Sequence, residues 1–395
     1  MLLGFDKETQ TIFLYTLMLC IFFFVPMTYQ SMDKEELNNL QKRGLLKDWR
    51  VLFICLSYAI IFGFRYDYMN DWSTYFAAFN NIKEGFVEWS IQKEPGFFYI
   101  QYILGALGFN GYSIFVVQSF LWIYCICYLL KDNRKYLAFV LPFVFLGAGS
   151  TGLIIMRQFF AMSIMYIGYR MSLDGKKTKS WIFYLLSISI HFSAVLWLIV
   201  FIILKRINYL KPIIIFPLFV FLSVFSYVFL GILIQSSNTL ALLLTSAGIT
   251  GKEYDTSTLL HMQGEASVAS FRQMLTLGLT RGLYIVLYFE CKRKGFLRDR
   301  VLNNLLILGI FGIFTDLIMG YNMIFARFGT YLTMFYYLGY GILAYICLIA
   351  RRNHFHVLLR VGVILVLFYY LGSQYSGLLS PPSDPTLNKY LIYEL

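Results

Sequence analysis

Arginine, histidine and other polar side chains interrupt long apolar segments of this sequence. Arg157 and Gln158 follow the apolar run GLIIM, about a turn and a half inside the outer end of their expected span. His191 lies within ISIHFSAVLWL, and Arg327 lies in the stretch ARFGTYL. A charged side chain at the centre of a spanning helix costs about 2.5 to 3.5 kcal/mol on insertion scales, so such residues usually face a cavity or a partner. Arginine also presents a planar set of donors that matches phosphate oxygens. These residues predict an anion site in a polar cavity.

The same pattern recurs in other apolar runs. Arg272 and Arg281 lie at the outer end and about halfway along one run, and Asp316 lies near the outer end of the next. Arg281 and Asp316 could equally form a buried structural pair, Arg327 could reach the outer headgroups, and His191 could be a capped core histidine. As a set, arginines on one side of a bilayer indicate a bound anion. The pyrophosphate of a lipid carrier would lie at this depth.

The elements that position these residues are predicted to be membrane-spanning helices. The chain is 59% hydrophobic and 14% charged, against roughly 25% charged residues in an ordinary soluble domain. A helix needs roughly 20 apolar residues to cross a bilayer. Apolar runs close to this length recur along the chain to the C-terminus. We therefore expect an all-α polytopic membrane protein, a single transmembrane domain over residues 1–395. The first run is expected to stay as a span, because MLLGFDKETQ lacks the basic region of a signal peptide.

Several function classes receive no support from the sequence. There is no glycine-rich nucleotide loop, Walker motif or internal repeat, so an ATP-driven cytoplasmic activity is not expected. The six cysteines lie in or beside apolar runs. We expect them to face lipid or to pack in the core rather than to form disulfides. The HFH at 354–356 could bind a metal, but beside RRN it fits a basic membrane-edge loop better. The basic residues are dispersed among loops, so nucleic acid is not an expected partner.

The distribution of basic residues predicts the orientation. Cytoplasmic loops carry an excess of Lys and Arg. Most of the 33 Lys and Arg residues fall in six clusters, at residues 31–50, 131–135, 170–179, 205–211, 291–300 and 351–360. These clusters alternate with poorly basic connections if two local choices are made. The segments on either side of His191 must form a hairpin of short helices, with His191 at its outer apex. The segment after Glu94 must form a re-entrant or surface helix.

With these choices we expect about eleven spanning helices plus one re-entrant or surface helix. The connection 65–112, which holds that helix, and the connection 235–270 then lie on the extracytoplasmic side of the membrane. The second connection is polar enough to be a candidate lid over the cavity.

Five motifs occur in a fixed order between about residues 50 and 335: RYDYMNDWSTY, EPGFFYIQYIL, MRQFFAMSI, ISIHFSAVLWL and ARFGTYL. In order and spacing they resemble the EpsG-type branch of the Wzy-like polysaccharide polymerases. Those are multispanning bacterial proteins that join lipid-pyrophosphate-linked oligosaccharide repeat units outside the plasma membrane. The resemblance implies a GT-C-like glycosyltransferase architecture and places the active site at the periplasmic or exterior face of the inner membrane.

The first motif departs in part from the family pattern R-Y-D-V-G-x-D-Y-x-x-Y. Met69 replaces the usual glycine, which puts the turn after Asp67 in question, and Trp72 replaces the usual tyrosine. The positions that match the family motifs are Arg65, Asp67, Asp71, Tyr75, Glu94, Pro95, Gly96, Arg157, Gln158, His191 and Ser193.

The resemblance implies transfer of a growing glycan from its lipid pyrophosphate to a sugar hydroxyl of the incoming unit. The departing pyrophosphate requires stabilisation of its charge rather than a general acid. We assign this role to Arg157 and Arg327, with Arg272 and Arg281 assisting. Further residues expected to contact substrate are Arg65, Tyr75 and Gln158.

The acceptor hydroxyl requires a base within hydrogen-bond reach. The candidates are His191, whose unperturbed pKa of about 6.5 suits the task, and the carboxylates Asp71 and Glu94. One base opposite the leaving group predicts inversion of the anomeric configuration. Asp67 and Asp71, at i and i+4, could instead hold a divalent cation, but we expect no cofactor and no metal requirement.

The expected partners are an undecaprenyl-pyrophosphate-linked donor and acceptor, the lipid bilayer, a chain-length regulator and a flippase. Three other functions make different demands on the sequence. A glycan ligase would need the same arginine cavity with another acceptor. A lipid-oligosaccharide flippase would need a cavity that reaches both faces, which the one-sided placement of charge disfavours. An O-acyltransferase would need a nucleophile or histidine facing a cytoplasmic acyl donor, and the basic loops offer only HFH.

Overall fold

The structure, a computed structural model, describes residues 6–68, 71–85, 94–228, 239, 271–319, 323–380 and 390–391. Within these ranges the chain is all-helical, without strands, and the predicted fold class is confirmed at this level. The helices are α1 (Lys7–Met27), α2 (Lys34–Lys42), α3 (Trp49–Gly63), α4 (Trp72–Lys83), α5 (Pro95–Ala106), α6 (Tyr112–Leu129), α7 (Leu137–Ile154), α8 (Met156–Leu173), α9 (Lys177–Ile190), α10 (Ala194–Leu204), α11 (Pro212–Val228), α12 (Phe271–Arg293), α13 (Arg300–Met319), α14 (Met323–Tyr345) and α15 (Val357–Leu379).

Several helices are long and apolar enough to cross a membrane. In the described part of the chain there are five such segments: Lys7–Gln30, Tyr112–Leu129, Arg300–Met319, Ala326–Ala350 and Val357–Leu379. Shorter apolar helices cover Trp49–Gly63, Ala194–Leu204 and Pro212–Phe225. Large apolar side chains on several of these helices are exposed, including Phe24, Ile213 and Leu358. A surface of this kind fits a lipid environment, so the chain is a membrane protein with several spanning helices.

The chain forms two compact units. The first unit contains Met1–Phe201 and Leu367–Leu395, and the second contains Ile202–Val366. The predicted single domain over residues 1–395 therefore has two structural units within it.

In the first unit, α8 is the central helix. It packs against α6 and α9, while α3 packs on α6 and α1 packs on α7. Every residue of α8 from Gln158 to Arg170 is buried, which is typical of a helix surrounded by protein on all sides. Helix α5 packs against α4 and α9. The N-terminal end of α8 and these two contacts of α5 position the candidate site.

The C-terminal end of α8 carries a buried cluster of charges. Arg170 donates from Nε to Asp174 Oδ1 (3.1 Å) and also pairs with Asp132. Arg134 donates to Asp48 Oδ2 at 2.7 Å. These residues come from three of the basic clusters, 31–50, 131–135 and 170–179. The clusters predicted to share one face of the membrane therefore meet at one end of the first unit.

In the second unit, α13 and α14 pack closely because glycines lie between them. A Cβ atom added at Gly312 would lie 2.3 Å from the carbonyl oxygen of Leu332, and one at Gly309 would lie 2.8 Å from that of Phe335. Helix α11 packs on α13, and α12 packs on α14.

Candidate functional site

The start of α5 and the end of α9 touch through Gly96. Pro95 occupies the first turn of α5, where its missing N–H costs no helical hydrogen bond. A Cβ atom at position 96 would lie 2.2 Å from Ser189 Oγ and 2.8 Å from the Ser189 carbonyl carbon. No side chain larger than hydrogen fits this contact. The Glu-Pro-Gly sequence thereby brings Glu94, the residue that precedes α5, next to the end of α9.

Helix α9 ends at His191. The backbone of His191 is extended, with φ −152° and ψ 116°, and its N–H still donates to the carbonyl of Ser187 at 3.1 Å. Helix α10 starts three residues later, at Ala194. The two short helices predicted around His191 are thus present, while their arrangement as a membrane hairpin stays a prediction. The imidazole lies against Glu94, with 2.5 Å between His191 Nδ1 and Glu94 Oε1.

Arg157 reaches the same carboxylate from a third element. The chain breaks at Ile155 (φ −90°, ψ 62°) between α7 and α8, and α8 begins at Met156. Arg157 therefore lies in the first turn of α8, not a turn and a half inside a span as the sequence suggested. Its Nη1 donates to Glu94 Oε2 at 2.6 Å. A cation at a helix N-terminus opposes the helix dipole, so this position does not serve the stability of α8.

Tyr75 of α4 holds Arg157 from the other side. Arg157 Nε donates to the Tyr75 hydroxyl at 3.2 Å, and the guanidinium carbon lies 5.6 Å from the centroid of the ring. The Tyr75 ring packs edge-on against Phe97 of α5, with 5.8 Å between centroids. Burial raises the pKa of Tyr75, although the Arg157 charge opposes this shift. The phenol therefore stays neutral and acts as a fixed support for the guanidinium.

The electrostatics of the site keep Glu94 ionised. Burial acts to raise the pKa of Glu94, but the hydrogen bond and charge of His191 and the charge of Arg157 together lower it below its ordinary value. Only 13% of the Glu94 side chain is exposed, against 27% for His191 and 38% for Arg157. The carboxylate thus lies at the base of the site, and the imidazole and guanidinium reach solvent.

Comparison with known protein families identifies the family of the chain. The EpsG family model matches residues 48–387. The chain belongs to the EpsG family. The resemblance inferred from the five motifs is therefore confirmed, and the family indicates a membrane protein of the polysaccharide polymerase type. No curated protein and no solved structure matches the chain.

Four of the EpsG-motif residues named from the sequence meet in the structure. Glu94, Arg157 and His191 were predicted as catalytic candidates, and Tyr75 as a substrate-binding residue. All four lie in the first unit and are linked by the contacts given above. The new information is that Glu94 and Tyr75 each hold Arg157, which residue types and spacing alone did not indicate.

The two aspartates of the first EpsG motif lie at the turn before α4. Asp71 is the N-cap residue of α4, yet its side chain makes no capping hydrogen bond, and its charge acts on Tyr75. Asp67 is exposed and has a positive φ of 43°, a conformation that Asp tolerates better than most residues. Met69 lies outside the described residues. Among the described residues, no three metal-binding side chains lie together.

Two other residues of the motifs are buried away from solvent. Arg65 is fully buried: it donates to the carbonyls of Phe62 and Leu153, the latter at 2.9 Å, and stacks on Phe115. This geometry favours a structural role over the predicted substrate contact. Gln158, beside Arg157, is 6% exposed.

Trp72, one of the residues that depart from the family pattern, is a core residue. It is 6% exposed and stacks between Phe76 and Phe115, with centroids 4.7 and 5.8 Å away.

The remaining predicted arginines belong to the second unit. Arg281 pairs with Asp316, as one of the two interpretations of the sequence expected. Arg327 lies in the first turns of α14 and is partly buried. The Arg272 side chain and, apart from residue 239, the candidate lid at 235–270 lie outside the described residues.

Proposed function

We propose that this EpsG-family protein is a glycosyltransferase that polymerises undecaprenyl-pyrophosphate-linked oligosaccharide repeat units at the outer face of the bacterial inner membrane. The observation that carries the proposal is the arrangement of Arg157, Glu94 and His191. The Glu94 carboxylate contacts both His191 and Arg157 and so holds the two side chains near each other. A transfer from a pyrophosphate carrier requires these two groups, a base and an anion-binding cation.

In this proposal His191 is the base. An ionised Glu94 can only accept hydrogen bonds, so His191 Nδ1 carries the proton of their contact and Nε2 is the basic nitrogen. Nε2 takes the proton of the acceptor hydroxyl while that oxygen bonds to the anomeric carbon of the donor. The bond from that carbon to the pyrophosphate oxygen breaks, and its electron pair leaves with the lipid pyrophosphate. A single displacement of this kind inverts the anomeric configuration.

Glu94 is a poorer candidate for the base. Both of its oxygens are engaged, one by Arg157 and one by His191. Its lowered pKa also makes it a weak proton acceptor. Asp71 makes no side-chain capping hydrogen bond in the described structure. It is retained as the alternative base, or as a group that binds the acceptor sugar.

Arg157 stabilises the departing pyrophosphate in this proposal. Its contacts to Glu94 and Tyr75 use Nη1 and Nε, and 38% of the side chain is exposed. Guanidinium has five N–H donors, so donors are left for phosphate oxygens. The roles of Arg327 and Arg272 in substrate binding stay predictions, and Arg281 is paired with Asp316. No cofactor takes part in this scheme.

The proposed architecture is GT-C-like, with about eleven spans and α5 as the re-entrant or surface helix. Helix α5 has 12 residues, about 18 Å in length, which is too short to cross the hydrocarbon layer. Arg157 and the basic cluster at Arg170 lie at opposite ends of α8, about 20 Å apart. If the basic clusters face the cytoplasm, as their composition favours, the site faces the exterior.

A deletion strain tests polymerase against ligase. We expect loss of this protein to leave lipid-linked single repeat units, because the polymerase is the step that joins them. Chromatography of extracted lipid-linked oligosaccharides measures this. Accumulation of long lipid-linked chains would instead establish the ligase function and contradict the proposal. A complementing copy of the gene should restore the wild-type pattern.

A further inference from the structure

The second unit contains a polar cavity that the proposed function does not use. Its volume is about 380 Å³, within the range of roughly 300 to 1,000 Å³ typical of small-molecule sites. It lies where the connection between α10 and α11 meets the connection between α12 and α13. The lining residues are Asn208, Lys292, Leu297, Arg298, Arg300 and Asn303.

The lining of this cavity is strongly cationic. Three of its six residues are Lys or Arg, and none is acidic. The acidic residues nearby are engaged elsewhere. Glu290 pairs with Arg293 at 2.8 Å and with Lys294 at 3.8 Å. Asp299 accepts from the backbone N–H of Val301 at 2.7 Å and so caps α13.

The three lining cations have no carboxylate partner in the described part of the chain. No Asp or Glu oxygen there lies within 4.0 Å of the charged nitrogens of Lys292, Arg298 or Arg300. Cations that gather around one cavity without counter-charges repel one another. A bound anion would remove this cost.

Asn303 fixes Lys292 in the cavity without cancelling its charge. Asn303 is only 5% exposed. Its Oδ1 accepts from Lys292 Nζ at 3.1 Å, and its Nδ2 donates to the Asn208 carbonyl at 3.0 Å. The amide is a neutral acceptor, so the ammonium group keeps its full charge. This buried side chain of α13 thus contacts both the connection between α10 and α11 and the last turn of α12, and it orients the lysine.

Local backbone geometry brings the two arginines to the same place. Helix α12 is followed by a turn at Gly295, which has a φ of +70°. The Phe296 N–H donates to the Cys291 carbonyl at 2.9 Å. The Arg298 guanidinium folds back to about 4.0 Å from the Cβ position of residue 295. Arg300 is the first residue of α13, where a cation is unfavourable and an anion favourable.

We propose that this cavity is a binding site for a phosphate group, carried either by an anionic phospholipid headgroup or by a soluble phosphate ester. The residues 205–211 and 291–300 are two of the basic clusters predicted to face the cytoplasm, where both sources are present. The site is separate from the proposed catalytic site and does not depend on the proposed reaction.

Binding measurements on the full chain in lipid nanodiscs test this site. One arm compares nanodiscs of phosphatidylcholine with nanodiscs that also contain phosphatidylglycerol, and native mass spectrometry counts retained phosphatidylglycerol. The other arm adds glycerol 3-phosphate to phosphatidylcholine nanodiscs and measures the shift of the unfolding temperature. Retention in the first arm identifies a lipid headgroup, a shift in the second identifies a soluble ester, and either result supports the phosphate site.

The chain offers a matched pair of double variants. Arg298→Gln with Arg300→Gln removes two charges from the cavity. Arg293→Gln with Lys294→Gln removes two charges from the same connection, from side chains that pair with Glu290 and do not line the cavity. We expect the first variant to lose at least about tenfold in affinity, because it removes two charged donors from the phosphate. The second should bind like the wild type.

Lys292→Gln is a milder variant that should also weaken binding. Two results would overturn the proposal. One is that neither probe binds the wild type, and the other is that the two double variants weaken binding equally, which would mean that only bulk surface charge attracts the probe.

Discussion

Glu94 shares its carboxylate between two functional groups, accepting from Arg157 at one oxygen and from His191 at the other. This sharing separates the role of Glu94 from that of His191, two of the three base candidates named from the sequence. A carboxylate with a lowered pKa orients its neighbours better than it takes up a proton. In the proposed reaction His191 is then the proton acceptor, and Glu94 fixes the tautomer of His191 and the direction of Arg157.

The variant Glu94→Gln tests this division of labour. We expect a loss of polymerising rate on the order of 10²- to 10³-fold, because an amide can donate to Nδ1 and favour the tautomer with its proton on Nε2. The rate is measured as polymer formed per molecule of correctly inserted protein. Glu94→Asp keeps the charge and should retain more activity than the amide. A Glu94→Gln enzyme with wild-type rate would exclude the orienting role.

At the scale of helices, the sequence allowed two features of the site to be predicted. The short helix after Glu94 is α5, and the chain breaks at His191 between two short helices. Both followed from the requirement that basic and poorly basic connections alternate along the chain. The contact between Gly96 and Ser189 could not be predicted, because it depends on how α5 and α9 pack across a separation of more than ninety residues.

The end of α7 was predicted only approximately. The sequence places a connection without basic residues at 149–152, whereas the helix continues through these residues to Ile154 and the chain breaks at Ile155. Arg157, expected about a turn and a half inside its span, therefore lies in the first turn of α8. Likewise, burial of Arg65 was hidden by its position in a motif that is otherwise polar. Its partners are backbone carbonyls, which leave no trace in residue types.

The variant Gly96→Ala tests the contact between α5 and α9. Its Cβ would lie 2.8 Å from the Ser189 backbone, so the helices must separate and Glu94 must move away from His191. A shift of about 1 Å at a catalytic group can lower the rate on the order of 10²-fold. We expect polymer formation to fall by that factor while the amount of protein in the membrane stays the same.

Gly105→Ala is the control on the same helix. Its Cβ would meet Lys83 Cβ at 3.5 Å, an ordinary contact, and alanine favours the helix. This variant should polymerise normally. If Gly96→Ala were as active as Gly105→Ala, the close approach would not be needed for the site.

At the scale of the whole molecule, the proposed reaction requires the candidate site to face the exterior and the basic clusters to face the cytoplasm. Helix α8 carries the candidate site at its N-terminal end and Arg170 with its charge cluster at the other end. Phe192 lies beside His191, and Lys176 lies beside the charge cluster, and both side chains are exposed. These two positions report the two ends of the first unit.

Cysteine labelling measures this sidedness. In a Cys20→Ser background, Phe192→Cys should react with a membrane-impermeant maleimide in intact cells, because its end of α8 is proposed to face the exterior. Lys176→Cys should react only after the membrane is opened. The reverse pattern would place the candidate site on the cytoplasmic side, against the proposed reaction.

The central claim is that Arg157 and its partners catalyse transfer between lipid-pyrophosphate-linked oligosaccharides. The most direct measurement gives purified protein a lipid-pyrophosphate-linked repeat unit and resolves the products by size. The account predicts a ladder of oligomers from the wild type and from Arg43→Ala, a variant at an exposed arginine outside the site. It predicts a rate on the order of 10²- to 10³-fold lower from Arg157→Ala, which loses a preorganised anion donor. A wild-type protein that forms no ladder from active substrate, or an Arg157→Ala protein that forms it at the wild-type rate, would contradict the account.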